Sequence, residues 1–221
     1  MVTAKKKHDD GNDPLREKIL GAALKHVPFE GWTLNALQTG AEDAGLERTA
    51  AHQAFPGGVI EAIEFHSKQA DARMLAALEA ADLSHMKVRE KVAFAIRTRL
   101  EQNAHHREAI RRALVILAVP VYAGVSLSSL YRTVDTIWHG IGDTSVDFNF
   151  YTKRMLLAGV YSTTLLHWLE DSSEGFETTW RFLDRRIDDV MRVPQFLGQF
   201  KKMFEGFPRP PFGPKPFGPG R

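Results

Sequence analysis

Phe176-Glu177-Thr178-Thr179-Trp180-Arg181-Phe182-Leu183-Asp184-Arg185-Arg186-Ile187-Asp188-Asp189-Val190-Met191 has the clearest helical period in the chain. Phe176, Trp180, Leu183, Ile187, Val190 and Met191 recur at helical intervals, so they share one face of an α-helix. Charged residues fill much of the rest of the turn, as on a helix packed once against a core. The same period runs outward from here. Ile60, Ile63, Ala70, Met74 and Leu78 form one stripe; Leu127, Leu130, Val134, Ile137, Trp138 and Ile141 form another. No segment alternates in the manner of a half-buried strand. The punctuation agrees: Pro14 follows Asp13 at a helix start, Gly142 follows a helix, and Asp171-Ser172-Ser173 precedes one. The expectation is an all-α protein of about ten helices.

The 221 residues are enough for one sizeable core, or for a small unit beside a larger one. Basic residues number 29 and acidic ones 27, a near balance that gives no electrostatic argument for nucleic acid. Without cysteine, disulfides and thiolate metal sites are excluded. The first ten residues are polar, with Lys5-Lys6-Lys7, and hold no apolar core of a secretory signal. The longest apolar run, 113–125, is interrupted by Pro120 and falls short of the roughly 20 residues a bilayer span needs.

Residues 14–63 resemble the DNA-binding end of a TetR-type regulator. Ile19-Leu20-Gly21-Ala22-Ala23-Leu24 is similar to the first helix, Gly31-Trp32-Thr33-Leu34 to the start of the second, Ala44-Gly45-Leu46 to the tight turn and Phe55-Pro56-Gly57 to the end of the recognition helix. Gly45 permits the turn, while Ala41 and Ala44 allow helices to approach. The groove-facing positions depart from the pattern. Glu47 stands at the usual small polar cap, His52 at the usual phosphate-contacting Tyr and Gly58 at the usual Lys, with Arg48 the main remaining cation. A carboxylate facing phosphates is repelled, so this unit is expected to be a three-helix cap and no nucleic-acid partner is expected.

The segment from Asp147 onward is apolar on two faces, Phe148, Tyr151, Met155, Ala158 and Leu165 on one, and Phe150, Leu157, Tyr161 and Trp168 on another. Such a helix is central to its domain or packs on the core and on something else. After Pro194, the residues Phe196, Leu197, Phe200, Met203, Phe204 and Phe207 share a face, with Lys201 and Lys202 beside it. That pattern fits an interfacial helix and equally a terminal helix docked on protein. Residues 208–221 repeat Phe-Gly-Pro and read as a flexible tail, as 1–12 read as a disordered arm. No Gly-rich phosphate loop, nucleophile elbow, His-Glu-x-x-His or paired Glu-x-x-His motif is present. The chain therefore reads as a non-enzyme with no catalytic residue, no metal site and no cofactor.

Two blocks carry a more specific resemblance. The first is Trp138-His139-Gly140-Ile141-Gly142-Asp143, followed by Asp147-Phe148-Asn149-Phe150-Tyr151-Thr152-Lys153-Arg154. The second is Asp171-Ser172-Ser173, followed by Phe176-Glu177-Thr178-Thr179-Trp180-Arg181-Phe182-Leu183. From about Asp13 to Arg192 the chain resembles the accessory-protein family of ubiquinone (coenzyme Q) biosynthesis, the Coq-nine family. The resemblance implies a TetR-like fold: a helix-turn-helix unit over 13–58, a larger helical lipid-binding domain over 59–193, and an amphipathic helix over 194–207. It implies a bound isoprenoid or other lipid, taken from the membrane surface as an isoprenoid quinone precursor and presented to the di-iron hydroxylase of that pathway. Leu114, Leu117, Trp138, Leu157, Tyr161, Leu165 and Trp168 are the pocket candidates. Asp147, Phe150, Tyr151 and Arg154 are the partner-binding ones, Phe150 standing where the family often has Trp. A homodimer is expected, peripheral on the cytoplasmic face of a bacterial inner membrane or, alternatively, on the matrix side of the mitochondrial inner membrane. The rival reading is a TetR-like transcriptional regulator that senses a hydrophobic ligand.

Overall fold

The structure, a computed structural model, describes residues 13–143 and 148–191. Among these residues ten α-helices follow one another: α1 (Asp13–Ala23), α2 (Val27–Glu30), α3 (Leu34–Asp43), α4 (Thr49–Ala54), α5 (Gly58–Ala80), α6 (Val88–Glu101), α7 (Arg107–Leu117), α8 (Ala123–Gly140), α9 (Phe148–Glu170) and α10 (Glu177–Met191). No strand occurs among the described residues.

Two apolar cores organise them. The smaller holds α1, α3 and α4 through Ile19, Leu20, Leu37 and Phe55. Gly40 sets the distance between α1 and α3, because a Cβ there would lie 2.6 Å from the backbone nitrogen of Ala23. At the end of α3, Gly45 takes a φ of 72°. The Leu46 N–H then reaches the Ala41 carbonyl at 2.9 Å and the Gly45 N–H reaches that of Glu42 at 2.8 Å, the paired bonds of a Schellman turn. Thr33 caps α3 by accepting from the Ala36 N–H. The close approach expected of Ala41 and Ala44 is therefore made by Gly40, with Ala41 buried beside it.

The larger core gathers α5, α6, α8, α9 and α10 around Met74, Ile96, Ile137, Leu157, Trp168 and Leu183. Helix α5 belongs to both: Ala62, Ile63 and Phe65 pack in the smaller core, Met74 and Leu78 in the larger. Helix α7 seals the join, since its Ala109 and Ala113 enter the smaller core and the Ala109 carbonyl accepts from the Trp32 indole at 2.8 Å. A boundary at 58–59 thus falls at the head of a helix that serves both units.

Helix ends in the larger unit are satisfied by side chains. Arg107 donates to the carbonyls of Trp168, Leu169 and Asp171, and its guanidinium lies over the Trp168 and Phe176 rings. A cation on the last carbonyls of α9 complements the helix dipole. Asp171 accepts from the Ser173 and Thr179 N–H groups and from both hydroxyls. Burial works against its charge, but these hydrogen bonds outweigh it and hold the carboxyl well below the usual carboxylate range.

Two details differ from the periodicity. Phe176 does not begin α10: with Gly175 it adopts a left-handed backbone, φ 60° and 59°, which turns its ring between Trp168 and Trp180. Leu127, on the expected buried stripe of α8, is 67% exposed; the buried residues of α8 begin only at Thr133, so its first turns project past the core.

Candidate functional site

The sequence of α7 and α8 leaves a space that their neighbours do not fill. It is a chamber of about 350 Å³ bounded by α5, α6, α7, α8 and α9. Its apolar wall includes Ile63, Ala70, Ile110, Ala113, Leu114, Leu117, Leu130, Tyr161 and Leu165. Ala118 and Leu166 also border it and are exposed, so the chamber reaches the surface there. Beside that opening the bend between α7 and α8 shows an apolar corner, with Val115, Val121 and Leu127 largely uncovered and Val119 about half so. No single helix among the described residues is long and apolar enough to cross a membrane.

Four expected pocket residues, Leu114, Leu117, Tyr161 and Leu165, line the chamber. Trp138, Leu157 and Trp168 do not. They are packed inside the larger core, Trp168 completely, because α9 turns one apolar face inward and the other toward the chamber and the surface. The face carrying Leu157, Tyr161 and Trp168 is core, with only Tyr161 reaching the chamber; Leu165 lies on the other face, which toward its N-terminal end exposes Tyr151 and Met155.

Sequence reasoning missed the polar wall. Asp71 on α5 is buried and accepts from Arg99 Nε at 2.9 Å, Arg132 Nε at 3.0 Å and Thr133 Oγ1 at 2.8 Å. Arg99, also buried, donates through Nη1 to the Tyr161 hydroxyl at 2.5 Å. Its Nη2 has only long contacts, 3.3 Å to Ser67 Oγ, 3.4 Å to Thr133 Oγ1 and 3.5 Å to the Ser67 carbonyl. Burial pushes the Tyr161 phenol up, so it stays protonated at neutral pH. His66 borders the same chamber, 5% exposed, with its ring against Trp32 and His106. Its Nε2 is buried without a hydrogen-bond partner, as is Ser129 Oγ. Burial, then the charges of His106, Arg73 and Arg99, lower the His66 pKa to about 3. The signal for this wall was an Asp and an Arg each standing on an otherwise apolar helical stripe, a placement that needs a partner.

The expected partner surface divides. Tyr151 is exposed, and Met155 one turn on is more so. Arg154 is not part of that patch: it is 8% exposed and its guanidinium pairs with Asp135 of α8 at 2.7 Å. One turn along α9 from Phe150, the side chain of Arg154 rotates toward α8 and its carboxylate. Asp147 lies outside the described residues, and Phe150 lies among those whose side chains are not described. The membrane-helix residues Phe196, Leu197, Phe200, Lys201, Lys202, Met203, Phe204 and Phe207 also lie outside the described residues, as do the arm and the tail. In the helix-turn-helix unit, Glu47 and His52 are exposed. Arg48 donates to Glu42, Asn35 and Gln38, so it is held against its own unit. Among the described residues no group of three or more His, Asp or Glu is placed to hold a metal ion.

Residues 123–194 match the COQ9 family, and residues 12–42 match "Ubiquinone biosynthesis protein COQ9, N-terminal domain". The mitochondrial ubiquinone biosynthesis protein COQ9 of Rattus norvegicus is 40% identical over 203 residues, 89% of this chain and 65% of that protein. COQ9-B of Xenopus laevis, also named mitochondrial, is 33% identical over 197 residues, 86% of this chain and 67% of that protein. The chain belongs to the COQ9 family. It spans slightly less than two thirds of the length of the mammalian COQ9 proteins it matches. A crystal structure of a TetR transcriptional regulator from Nitrosomonas europaea superposes with a TM-score of 0.67 at 20% identity, covering 80% of this chain and 98% of that one. The chain therefore has a TetR-like fold, a likeness that concerns architecture alone.

Proposed function

We propose that this COQ9-family chain is a lipid-binding accessory protein of ubiquinone biosynthesis. It takes up an isoprenoid quinone precursor from a membrane and presents it to the di-iron hydroxylase of the pathway, leaving the oxidation to that partner and supplying position and orientation. The observation that carries this reading is the apolar chamber of about 350 Å³ that reaches the surface beside the uncovered apolar bend of α7 and α8. Concave, mostly apolar sites with a few polar groups are where small amphiphiles bind. The amphipathic segment 194–207 supplies the membrane contact, and Tyr151 with Met155 lies on the face offered to the hydroxylase. A second copy of the chain completes a homodimer. The protein works at the periphery of an inner membrane, which the mitochondrial naming of its relatives favours as the mitochondrial one over the bacterial.

Protein purified without detergent, extracted with organic solvent and analysed by mass spectrometry, should yield an isoprenoid lipid in near-stoichiometric amount. Lipid-free protein that also fails to bind added isoprenoid would remove the reading. The TetR-like fold favours the regulator as the alternative. Exposed Glu47 and the internal bonds of Arg48 count against it, since phosphate contact needs free cations. Tight, salt-sensitive binding to a palindromic duplex would promote it.

A further inference from the structure

The apolar wall of the chamber accounts for a greasy ligand but not for the polar atoms gathered at one side of it. Most of that polar side is internally compensated: Asp71 answers Arg99, Arg132 and Thr133, and Tyr161 answers Arg99. Arg132 Nη2, outside the lining, has no partner; among the residues that line the chamber, what remains are His66 Nε2 and Ser129 Oγ, both buried and without partners, from α5 and α8. A buried polar atom left unpaired is destabilising, and native proteins leave few of them. Two on the wall of one chamber are explained if a ligand answers both.

We propose that His66 and Ser129 are the head-group residues of the chamber, and that they select an uncharged amphiphile carrying a hydroxyl or carbonyl over a hydrocarbon or an amine. This rests on the chamber being the lipid site proposed above. The charge around it sets the selectivity. Arg99 and Arg132 share one carboxylate, Asp71, so the polar side carries an excess of positive charge; Arg73, nearby on Asn103, is opposed by Glu17. A protonated amine brought against it is repelled and stripped of water together. His66 is neutral at physiological pH, its charged form suppressed by burial and by the same neighbours, so either tautomer of its Nε2 serves a neutral oxygen as donor or acceptor. The apolar tail of the ligand lies along Leu114, Leu117 and Leu165 toward the opening at Leu166.

Three probes with one tail separate the terms: farnesol, the matching hydrocarbon farnesene, and farnesylamine. Each is titrated calorimetrically from dilute detergent into the full chain and into His66→Phe and Ser129→Ala, with circular dichroism verifying the fold. The wild type should bind farnesol about ten-fold tighter than farnesene, and farnesylamine weaker than both at pH 7, as one or two net hydrogen bonds and a repelled charge require. Each substitution should erase most of the farnesol advantage and leave farnesene within about two-fold. Ser129→Ala carries the test if His66→Phe does not fold. Equal affinity for farnesol and farnesene in the wild type, or an unchanged preference in the folded variants, overturns the head-group assignment while the chamber stays a lipid site. Failure of the wild type to bind any of the three overturns both.

Discussion

Residue 66 links the chamber to stability through protons. The imidazole of His66 titrates near 6.5 when unfolded and near 3 when folded. Between these values the unfolded chain binds a proton that the folded chain refuses, so stability rises with pH in this window. The contribution is complete above about 6.5 and is lost as the pH falls toward 3. From pH 7 to pH 5 the unfolded state gains proton binding worth about 2 kcal/mol at this one site, while folded His66 remains neutral. In a chain of this size that corresponds to about 4–8 °C in Tm. His106 is depressed as well, by burial and then by Arg73 and His105, and adds in the same direction. Asp171 does not enter, because a carboxyl held low loses its contribution only below its unfolded value of 3.8. The perturbation is His66→Phe, which keeps an aromatic ring between Trp32 and His106. Calorimetric melts of both proteins at pH 7 and pH 5, at constant ionic strength, give the comparison. The wild type should lose about 2 kcal/mol more than the variant on acidification. Equal losses would refute the argument that His66 is buried neutral in the fold.

Gly40→Ala should destabilise by about 1–3 kcal/mol or more in urea titration, because the new methyl meets the Ala23 backbone, which cannot turn aside. Replacing Asp71 with Ala leaves Arg99 buried without its carboxylate and should cost about 3–5 kcal/mol in the same assay; a loss under about 1 kcal/mol would show that the pair is not desolvated as described. Tyr151→Ala should keep the fold, since the ring is exposed, and weaken binding of the purified hydroxylase by about 1–2 kcal/mol by calorimetry. Unchanged affinity would take this face out of the interface. Phe200→Ser with Phe204→Ser should cut sedimentation with liposomes while the helical circular dichroism persists; undiminished sedimentation would place the membrane contact elsewhere.

Much of the fold was legible because helices are local. A 3.6-residue stripe such as Trp180, Leu183 and Ile187 needs only its own spacing to declare which face is buried. Gly45, Gly142 and Asp171 marked helix ends because their backbone or side-chain chemistry acts within a few residues. The family was legible from the two blocks around Trp138 and Trp180. Periodicity could not tell a chamber from a core. Leu165 and Trp168 are equally apolar and three residues apart, yet one borders a cavity and the other is sealed, because that depends on how closely α7 and α8 approach α9. Nor could it pair Asp71 with Arg99 across 28 positions, or turn Arg154 from a surface patch to Asp135. Those outcomes arise from long-range packing, in which a charge on an apolar stripe is tolerated only where another helix brings its counterpart. Local spacing sets the helices and their buried faces; where those faces fail to meet, and so where a ligand has room, depends on contacts between residues far apart in the chain.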